Sequence, residues 1–375
     1  MGPQLLLDKS SLQSLSYGET LCARRHYYMV YAPIIFIEIL GDLKKHAGDI
    51  ERSTQLAGVI ANKIQPGNSC FNAHFRTLLI ANLLGKFIEN AGRPIMVGGQ
   101  DVVDSIGRTG IVFEEEPERE ALRRWVNGDI HNAEFILSQR WRESTRLIDL
   151  ESWRRAEING PIPSTLKEVK EKALSICNDP SICLDNLRFL LREVGVPEHE
   201  SKKIFMYWVS RGKPPIQNFA PYAYYCLVVY VTFYLGLASK LIGTRPTNRV
   251  DLEYILYLPF CRVFASNDNF HADFAPLFIK EEQDFINGQD LKMDIKRIDE
   301  FWTSMSQSER HDYEKSNGRY PPDWNNSITN LIWKKHMRPR SEYKPLTLSP
   351  DEEDKLMAQV RPMLEAFENT RKQRD

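Results

Sequence analysis

Residues 251–268 read DLEYILYLPFCRVFASND, and this stretch decides the fold that we predict. Its first part has helical periodicity up to Pro259, where the missing backbone donor ends a helix. Residues 261–266 are mostly apolar, as in a strand that is buried on both faces of a parallel sheet. Asp251 comes where the helix begins, and Asp268 follows the strand. The stretch therefore predicts an α/β fold in which a helix and the next strand each carry an acid.

The N-terminal segment predicts a second strand and helix of the same kind. The apolar run LLL at residues 5–7 ends in Asp8, as expected of a buried parallel strand with an acid at its carboxyl end. Residues 33–43 have helical spacing and place Glu38 and Asp42 four positions apart, on one helix face. In open α/β sheets, ligands bind outside the carboxyl ends of the strands. These acids, Asp251 and Asp268 are therefore the candidates for a site at that edge of the sheet.

Carboxylates gathered in this way form a cage of hard oxygen ligands, which Mg²⁺ and Mn²⁺ prefer. Metal ions held there activate water and neutralise the charge that develops on a phosphodiester. The sequence thus predicts a divalent-metal site. This prediction requires that the acids share a pocket in which no cationic side chain of the protein neutralises them.

The order of these elements resembles that of the PIN-like (PilT N-terminal) nucleases, which are α/β/α sandwiches with a central parallel sheet. The matching residues are Asp8 in LLLDKS, Glu38 in PIIFIEIL, Asp251 in DLEYILYLP and Asp268 in VFASND. The resemblance implies that these four acids ligate one or two Mg²⁺ or Mn²⁺ ions and position water to hydrolyse phosphodiester bonds. RNA is the expected substrate rather than DNA. The resemblance also implies that Ser10 and Asn267 support the metal site.

The resemblance predicts a division of the chain into three parts. These are a discontinuous PIN-like core (1–45 and 216–285), a mainly helical insertion (46–215), and a helical C-terminal extension with a basic tail (286–375). Small PIN domains lack an insertion like residues 46–215, so we expect it to shape substrate access or to bind a protein partner.

The sequence also predicts two local structures. Residues 9–31 are predicted to form a polar loop or a short helix, and residues 117–144 are predicted to form one helix.

Each candidate residue also has a purely structural interpretation. Asp8 could cap a turn, and Asp251 could be only a helix N-cap. Glu38 could be a solvated charge, with Asp42 then equally eligible as a ligand. Asp268 could form an Asx turn after the strand. Glu253 could be a surface charge or could replace Asp251 as a ligand. His271 could contact a phosphate, act as an acid or form a structural hydrogen bond.

Composition restricts the location and the partners. The 49 Lys and Arg residues balance 50 Asp and Glu residues, so nucleic-acid binding requires a local basic groove. Six cysteines without a C-x-x-C pair argue against a zinc finger or a disulfide framework. The N-terminus lacks signal-peptide features, which favours a cytoplasmic protein. Residues 219–239 carry no charge, and we predict a buried helix there rather than a membrane span.

Two further alternatives stay open. The basic cluster Lys334, Lys335, Arg338 and Arg340, near Trp333, could contact phosphates, although a solvated tail explains it as well. The chain could also be an inactive PIN-like interaction module whose insertion is the binding surface. A phosphohydrolase of another α/β family is less favoured, because Asp8-Lys9-Ser10 lacks the second acid of the haloacid-dehalogenase Asp-x-Asp motif.

Overall fold

A five-stranded parallel sheet forms the centre of the protein in a computed structural model of the chain. In spatial order its strands are β3 (Ser69–Phe71), β2 (Tyr28–Tyr31), β1 (Gln4–Leu7), β6 (Val263–Ser266) and β7 (Asp284–Asn287). The central strand β1 pairs Leu5 with Met29 on one side and with Val263 on the other. A separate antiparallel hairpin consists of β4 (Gly99–Val103) and β5 (Thr109–Phe113).

The structure describes most of the chain. The described residues are 2–43, 49–64, 68–103, 109–113, 117–158, 160–344, 349, 351, 352, 354, 355, 357 and 358. Their side chains are described except at residues 100, 102, 103, 109–113 and 117.

Helices fill the connections between the strands. The first four are α1 (Lys9–Ser14), α2 (Tyr17–His26), α3 (Ile34–Asp42) and α4 (Ile50–Lys63). Between β3 and β6 follow α5 (Phe75–Leu83), α6 (Pro117–Val126), α7 (Asn132–Arg146), α8 (Leu150–Arg154), α9 (Leu166–Asn178), α10 (Cys183–Glu193), α11 (Glu198–Ser210), α12 (Ile216–Phe219), α13 (Pro221–Ala238) and α14 (Thr247–Ile255). The remaining helices are α15 (Asn269–Phe274), α16 (Gly288–Ser304), α17 (Gln307–Asn317) and α18 (Ile328–His336). Single 3-10 turns lie at Pro180–Ile182, Leu258–Phe260, Ala275–Leu277 and Arg340–Glu342.

Hydrophobic cores cover both faces of the sheet. Side chains alternate along a strand, so Leu6 enters one core and Leu5 and Leu7 enter the other. The Leu6 core contains α13 and α14, whereas the other core contains residues of α3, α4 and α16. All three leucines are completely buried, as expected of a parallel strand between two helical layers. The predicted α/β class with a central parallel sheet is confirmed.

The sheet extends beyond the segments that were predicted to form it. β2 and the ten-residue α2 occupy residues predicted as a polar loop or short helix, so that prediction is wrong. β3 lies inside the predicted insertion, and β7 crosses the predicted boundary at residue 285. β2 has the apolar sequence YMVY and the same four-residue length as β1 and β6, so its strand signal was overlooked. β3 has three residues and becomes a strand by pairing with β2.

The predicted helix over residues 117–144 is two helices, α6 and α7. Gly128 has a φ of 74°, in the left-handed region that glycine adopts at a helix end, and its amide donates to the Trp125 carbonyl at 3.0 Å. This turn redirects the chain. α7 then packs against α3, the helix that carries Glu38.

The uncharged segment forms α13, the helix in the described residues that is long and apolar enough to cross a membrane. Of its 18 residues, 67% are buried inside the protein. Tyr222, Tyr230 and Phe233 are completely buried and belong to the core beneath the sheet. The packing supports the predicted buried helix, because the surface that would face lipid already contacts protein.

The basic cluster of the C-terminal extension takes part in the packing of α18. Lys334 pairs with Asp323 at 3.0 Å, and Lys335 pairs with Asp284 at 2.8 Å. Trp333 is 4% exposed and donates through its indole to the carbonyl oxygen of His26. An aromatic ring buried in this way cannot stack on a base, whereas the side chains of Lys334 and Lys335 are 54% and 41% exposed.

Candidate metal centre

The carboxyl ends of β1 and β6 lie where the strand order reverses. After β1 the chain passes to β2 on one side of the sheet, and after β6 it passes to β7 on the other. The connecting segments diverge at such a point and leave a crevice, which is where open α/β sheets bind ligands. Asp8 directly follows β1, and Asp268 comes two residues after β6.

Three donors hold the carboxylate of Asp8, which is 4% exposed. Its Oδ1 accepts from the backbone amide of Ser11 at 2.9 Å and thereby caps α1. Its Oδ2 accepts from the hydroxyls of Ser10 at 2.6 Å and Ser266 at 2.8 Å. The cap interpretation of Asp8 is correct, and the same bonds orient the second oxygen toward β6.

Ser266 connects Asp8 with His271. Its hydroxyl lies 2.8 Å from Asp8 Oδ2 and 2.7 Å from His271 Nδ1, and it accepts from the amide of Asp268 at 3.0 Å. His271 is completely buried, and its Nε2 lies 2.8 Å from the carbonyl oxygen of Asp251. His271 therefore has the geometry of a structural hydrogen-bonding residue.

Glu38 on α3 is held by Tyr254 on α14. The Tyr254 hydroxyl donates to Glu38 Oε2 and accepts from the backbone amide of Lys9 at 3.2 Å. The Lys9 ammonium contacts the backbone carbonyl of Glu38 at 3.2 Å and pairs with the Asp42 carboxylate at 2.7 Å. Since Lys9 neutralises Asp42, Glu38 is the better candidate ligand of the two.

Asp251 lies in the interior of α14, so its interpretation as an N-cap is wrong. The helix begins four residues earlier, at Thr247, and Pro246 occupies the cap position. The backbone carbonyl of Asp251 accepts from His271, and its carboxylate projects toward Asp268. Asp268 caps α15 by accepting from the amide of Phe270 at 2.8 Å, as the Asx interpretation predicts.

Arg245 bridges Asp251 and Asp268. Its Nη2 lies 3.1 Å from Asp251 Oδ2 and 2.8 Å from Asp268 Oδ2. The expectation that no protein cation neutralises the acids is therefore wrong. The Arg245 side chain is nevertheless 58% exposed, whereas those of Asp251 and Asp268 are 13% and 22% exposed. The guanidinium thus occupies the outer side of the acidic cluster and has open solvent behind it.

The four predicted acids share one electrostatic environment. Burial, together with the negative charges of Asp8 and Asp42, raises the pKa of Glu38 to about 7 against the opposing effects of Lys9 and Tyr254. Burial likewise raises the pKa of Asp251 to about 7, with contributions from Asp268 and Glu38 in the same direction. Each of these two acids therefore senses the others, as expected of carboxylates gathered in one crevice.

Ser10 and Asn267, which were predicted to support the metal site, make different contacts. Ser10 donates to Asp8, as described above. Asn267 has a buried Oδ1 that finds no hydrogen-bond partner among the described residues, and the same is true of Ser11 Oγ. Both atoms face Gly288, where an added Cβ would lie 2.6 Å from Asn267 Oδ1 and 2.3 Å from Ser11 Oγ. A side chain at that position would therefore require Ser11 and Asn267 to shift.

Glu253 does not belong to this cluster. Its carboxylate faces Arg249 at 3.9 Å, and burial raises its pKa to about 7 against the effect of that arginine. Arg249 also pairs with Glu193 at 3.0 Å. The predicted surface charge is thus a side chain only 18% exposed, in an ion-pair cluster that Arg249 organises.

Three residues of the centre were missed from the sequence: Arg245, Tyr254 and Ser266. Tyr254 follows Asp251 by three positions on α14, which places both on one helix face. Ser266 is the last residue of β6, next to two predicted site residues. The sequence spacing could therefore have identified both Tyr254 and Ser266 as residues of the centre. Arg245 precedes its helix and carried none, because its partners come together only in the folded chain.

The donor set fits Mg²⁺ or Mn²⁺ in its chemistry, since all four predicted ligands are carboxylates at the rim of a crevice. In its present geometry Arg245 provides the positive charge. In the part of the chain that the structure describes, no group of three or more His, Cys, Asp or Glu side chains is arranged to hold a metal ion. Metal binding at this site therefore requires Arg245 to withdraw and the carboxylates to close.

Comparisons of the chain with protein-family models, with curated proteins and with solved structures match nothing. The geometry of the described residues therefore carries the functional argument.

Proposed function

We propose that the protein is a divalent-metal-dependent nuclease that hydrolyses phosphodiester bonds, with RNA as the expected substrate. One observation carries the proposal. Four acids from distant segments lie near the carboxyl edge of the sheet, where the strand order reverses, and there Asp8 raises the pKa of Glu38 and Asp268 raises that of Asp251. We also propose that the fold is that of a PIN-like nuclease and that the protein is cytoplasmic.

The residues of the chain have distinct roles in this proposal. Asp251 and Asp268 would hold the metal ion in the place where Arg245 now lies. Tyr254 orients Glu38, and Ser10 with Ser266 orients Asp8. When bound, Mg²⁺ or Mn²⁺ would polarise the phosphate and lower the pKa of a coordinated water. Ser266 and His271 link Asp8 to the backbone carbonyl of Asp251 through hydrogen bonds and so fix the ends of β1 and β6 against α14.

A second candidate function is an inactive interaction module, and the Arg245 bridge favours it. An arginine of the chain that pairs with two acids neutralises them without a metal ion, as in a structural charge cluster. In that case the surface of the predicted insertion binds a protein partner. The two candidates differ in whether a metal ion can replace the guanidinium.

The deciding experiment is cleavage of a labelled RNA by the full chain with Mn²⁺ and with Mg²⁺. Asp251→Asn should reduce the cleavage rate at least about 100-fold, since it removes the charge of one ligand and keeps its shape. Asp185→Asn, an exposed acid on α10, is the matched control and should cleave normally. Equal cleavage by Asp251→Asn would refute the assigned site, and metal-independent melting of the wild type would favour the interaction module.

A further inference from the structure

A cavity of about 440 Å³ is lined by side chains of α3, α6 and α7. Three aromatic side chains line it, those of Phe36, Trp125 and Trp141, together with aliphatic side chains that include Ile37 and Leu137. None of the four acids assigned to the candidate metal centre is among its lining residues. The cavity is therefore a separate, mainly apolar site.

The charges in this cavity are negative. Its titratable lining residues are His74, Glu118, Glu134 and Glu253, and in the described part of the chain no lysine or arginine lines it. Glu134 already has a cation, because Arg124 donates to its two carboxylate oxygens at 2.8 and 3.3 Å. Burial lowers the pKa of His74, which favours the neutral imidazole. The cavity thus offers carboxylates and no positive charge of its own.

Glu253 is the lining acid whose charge is buried and poorly compensated. Among the described residues its carboxylate accepts no hydrogen bond, and its ion pair with Arg249 Nη1 is long, at 3.9 Å. The same guanidinium bonds Glu193 through Nε at 3.1 Å and through Nη2 at 3.0 Å. One arginine therefore faces two carboxylates. When both acids are ionised, one negative charge lacks a counter-ion beside an apolar cavity, which costs free energy.

We propose that this cavity binds a small organic ammonium ion whose amine pairs with Glu253 and whose apolar body packs against Trp141 and Leu137. The ammonium would supply the missing positive charge, and aromatic faces attract cations. The volume falls in the range of small-molecule pockets, about 300–1,000 Å³. Hard cations such as Mg²⁺ suit the cavity poorly, because they require several oxygen ligands. The inference goes beyond the proposed nuclease and does not depend on it.

The test is titration calorimetry of the full chain with tryptamine, in EDTA so that metal ions do not contribute. The comparison ligand is indole-3-propionate, which has the same ring and linker and a carboxylate in place of the amine. We expect a Kd for tryptamine below about 1 mM and at least about tenfold weaker binding of indole-3-propionate. Glu253→Gln should weaken tryptamine binding at least about tenfold. Glu143→Gln, an exposed acid of α7 outside the cavity, is the matched control.

A second pair of variants leaves Glu253 in place. Leu137→Arg puts a bulky cation at an exposed position of the cavity wall and should abolish tryptamine binding. Leu147→Arg, at an exposed leucine just after α7 and outside the cavity, should bind like the wild type.

Three results would each overturn the inference: no binding of tryptamine to the wild type, equal affinities for the two indole ligands, or unchanged tryptamine binding by both Glu253→Gln and Leu137→Arg. Cleavage of RNA with Mn²⁺ can persist in all three cases, so the proposed function would stand while this site fails. Tryptamine binding that requires Glu253 in a protein without metal-dependent cleavage would retain this site and refute the nuclease.

Discussion

Arg245 and Asp268 form an ion pair in which Nη2 lies 2.8 Å from Oδ2, and the same nitrogen also reaches Asp251. The pair joins the segment before α14 to the end of β6. It also places a cation of the protein where the proposal requires a metal ion. The competition between these two cations is the property that most directly separates a nuclease from an inert fold.

Arg245→Gln should therefore strengthen Mn²⁺ binding. The variant removes the competing charge, and we expect an affinity about tenfold higher, which corresponds to about 1.4 kcal/mol. Without metal the variant should melt at a lower temperature, because two partly buried carboxylates lose their partner. Titration calorimetry and thermal melting measure the two effects. Arg140→Gln is the control, and an unchanged or weaker Mn²⁺ affinity of Arg245→Gln would contradict the exchange.

The metal-free protein should lose stability as the pH rises from about 4.5 to about 7. Burial raises the pKa of Glu38 and Asp251 to about 7, above their ordinary values of 4.5 and 3.8. The folded state thus binds these protons more tightly than the unfolded chain, and deprotonation favours unfolding. Melting temperatures of wild type and of the Glu38→Gln, Asp251→Asn double variant measure the effect. Equal pH slopes for both proteins would contradict it.

The same groups make metal binding depend on pH in the opposite direction. A metal ion requires the deprotonated carboxylates, so the Mn²⁺-induced rise in melting temperature should grow as the pH increases through about 7. If the Mn²⁺-induced rise in melting temperature is the same at about pH 6 and at about pH 8, Glu38 and Asp251 are not the metal ligands.

Tyr254→Phe should raise the pKa of Glu38 further, because the hydroxyl of Tyr254 stabilises its ionised form. We expect weaker Mn²⁺ binding near neutral pH, restored at higher pH, and a loss of about 1–3 kcal/mol in unfolding free energy. Tyr257→Phe is the matched control. Its hydroxyl accepts from the amide of Phe75 at 2.9 Å, so this variant should lose stability without changing the pH dependence of metal binding.

Gly288→Ala should destabilise the protein by about 1–3 kcal/mol, since its methyl group would overlap Ser11 Oγ and Asn267 Oδ1. Gly243→Ala is the comparison, because the nearest atom to its added Cβ is Asn248 Nδ2 at 3.7 Å, an ordinary contact. Chemical denaturation of both variants measures the difference. Equal stabilities would show that the α1–α16 contact relaxes without cost.

The sequence by itself determined the strands and helices whose apolar residues recur over a whole element. Residues 5–7 and 263–265 are continuous apolar runs, and α13 is apolar on all sides, so burial follows from composition. Asp8 and Asp268 follow such elements and Glu38 lies within one, and the resemblance to PIN-like nucleases selected these acids as site residues. The inferences about the elements succeed because hydrophobic periodicity is local and is present in any short window of the chain.

Only the tertiary structure decided which strands complete the sheet and which side chains meet. β3 becomes a strand by pairing with β2, and the Lys9–Tyr254 hydrogen bond joins residues 245 positions apart. Arg245 reaches Asp268 because a turn brings two segments together. Such distances depend on how whole layers pack, and no local pattern of residues records them.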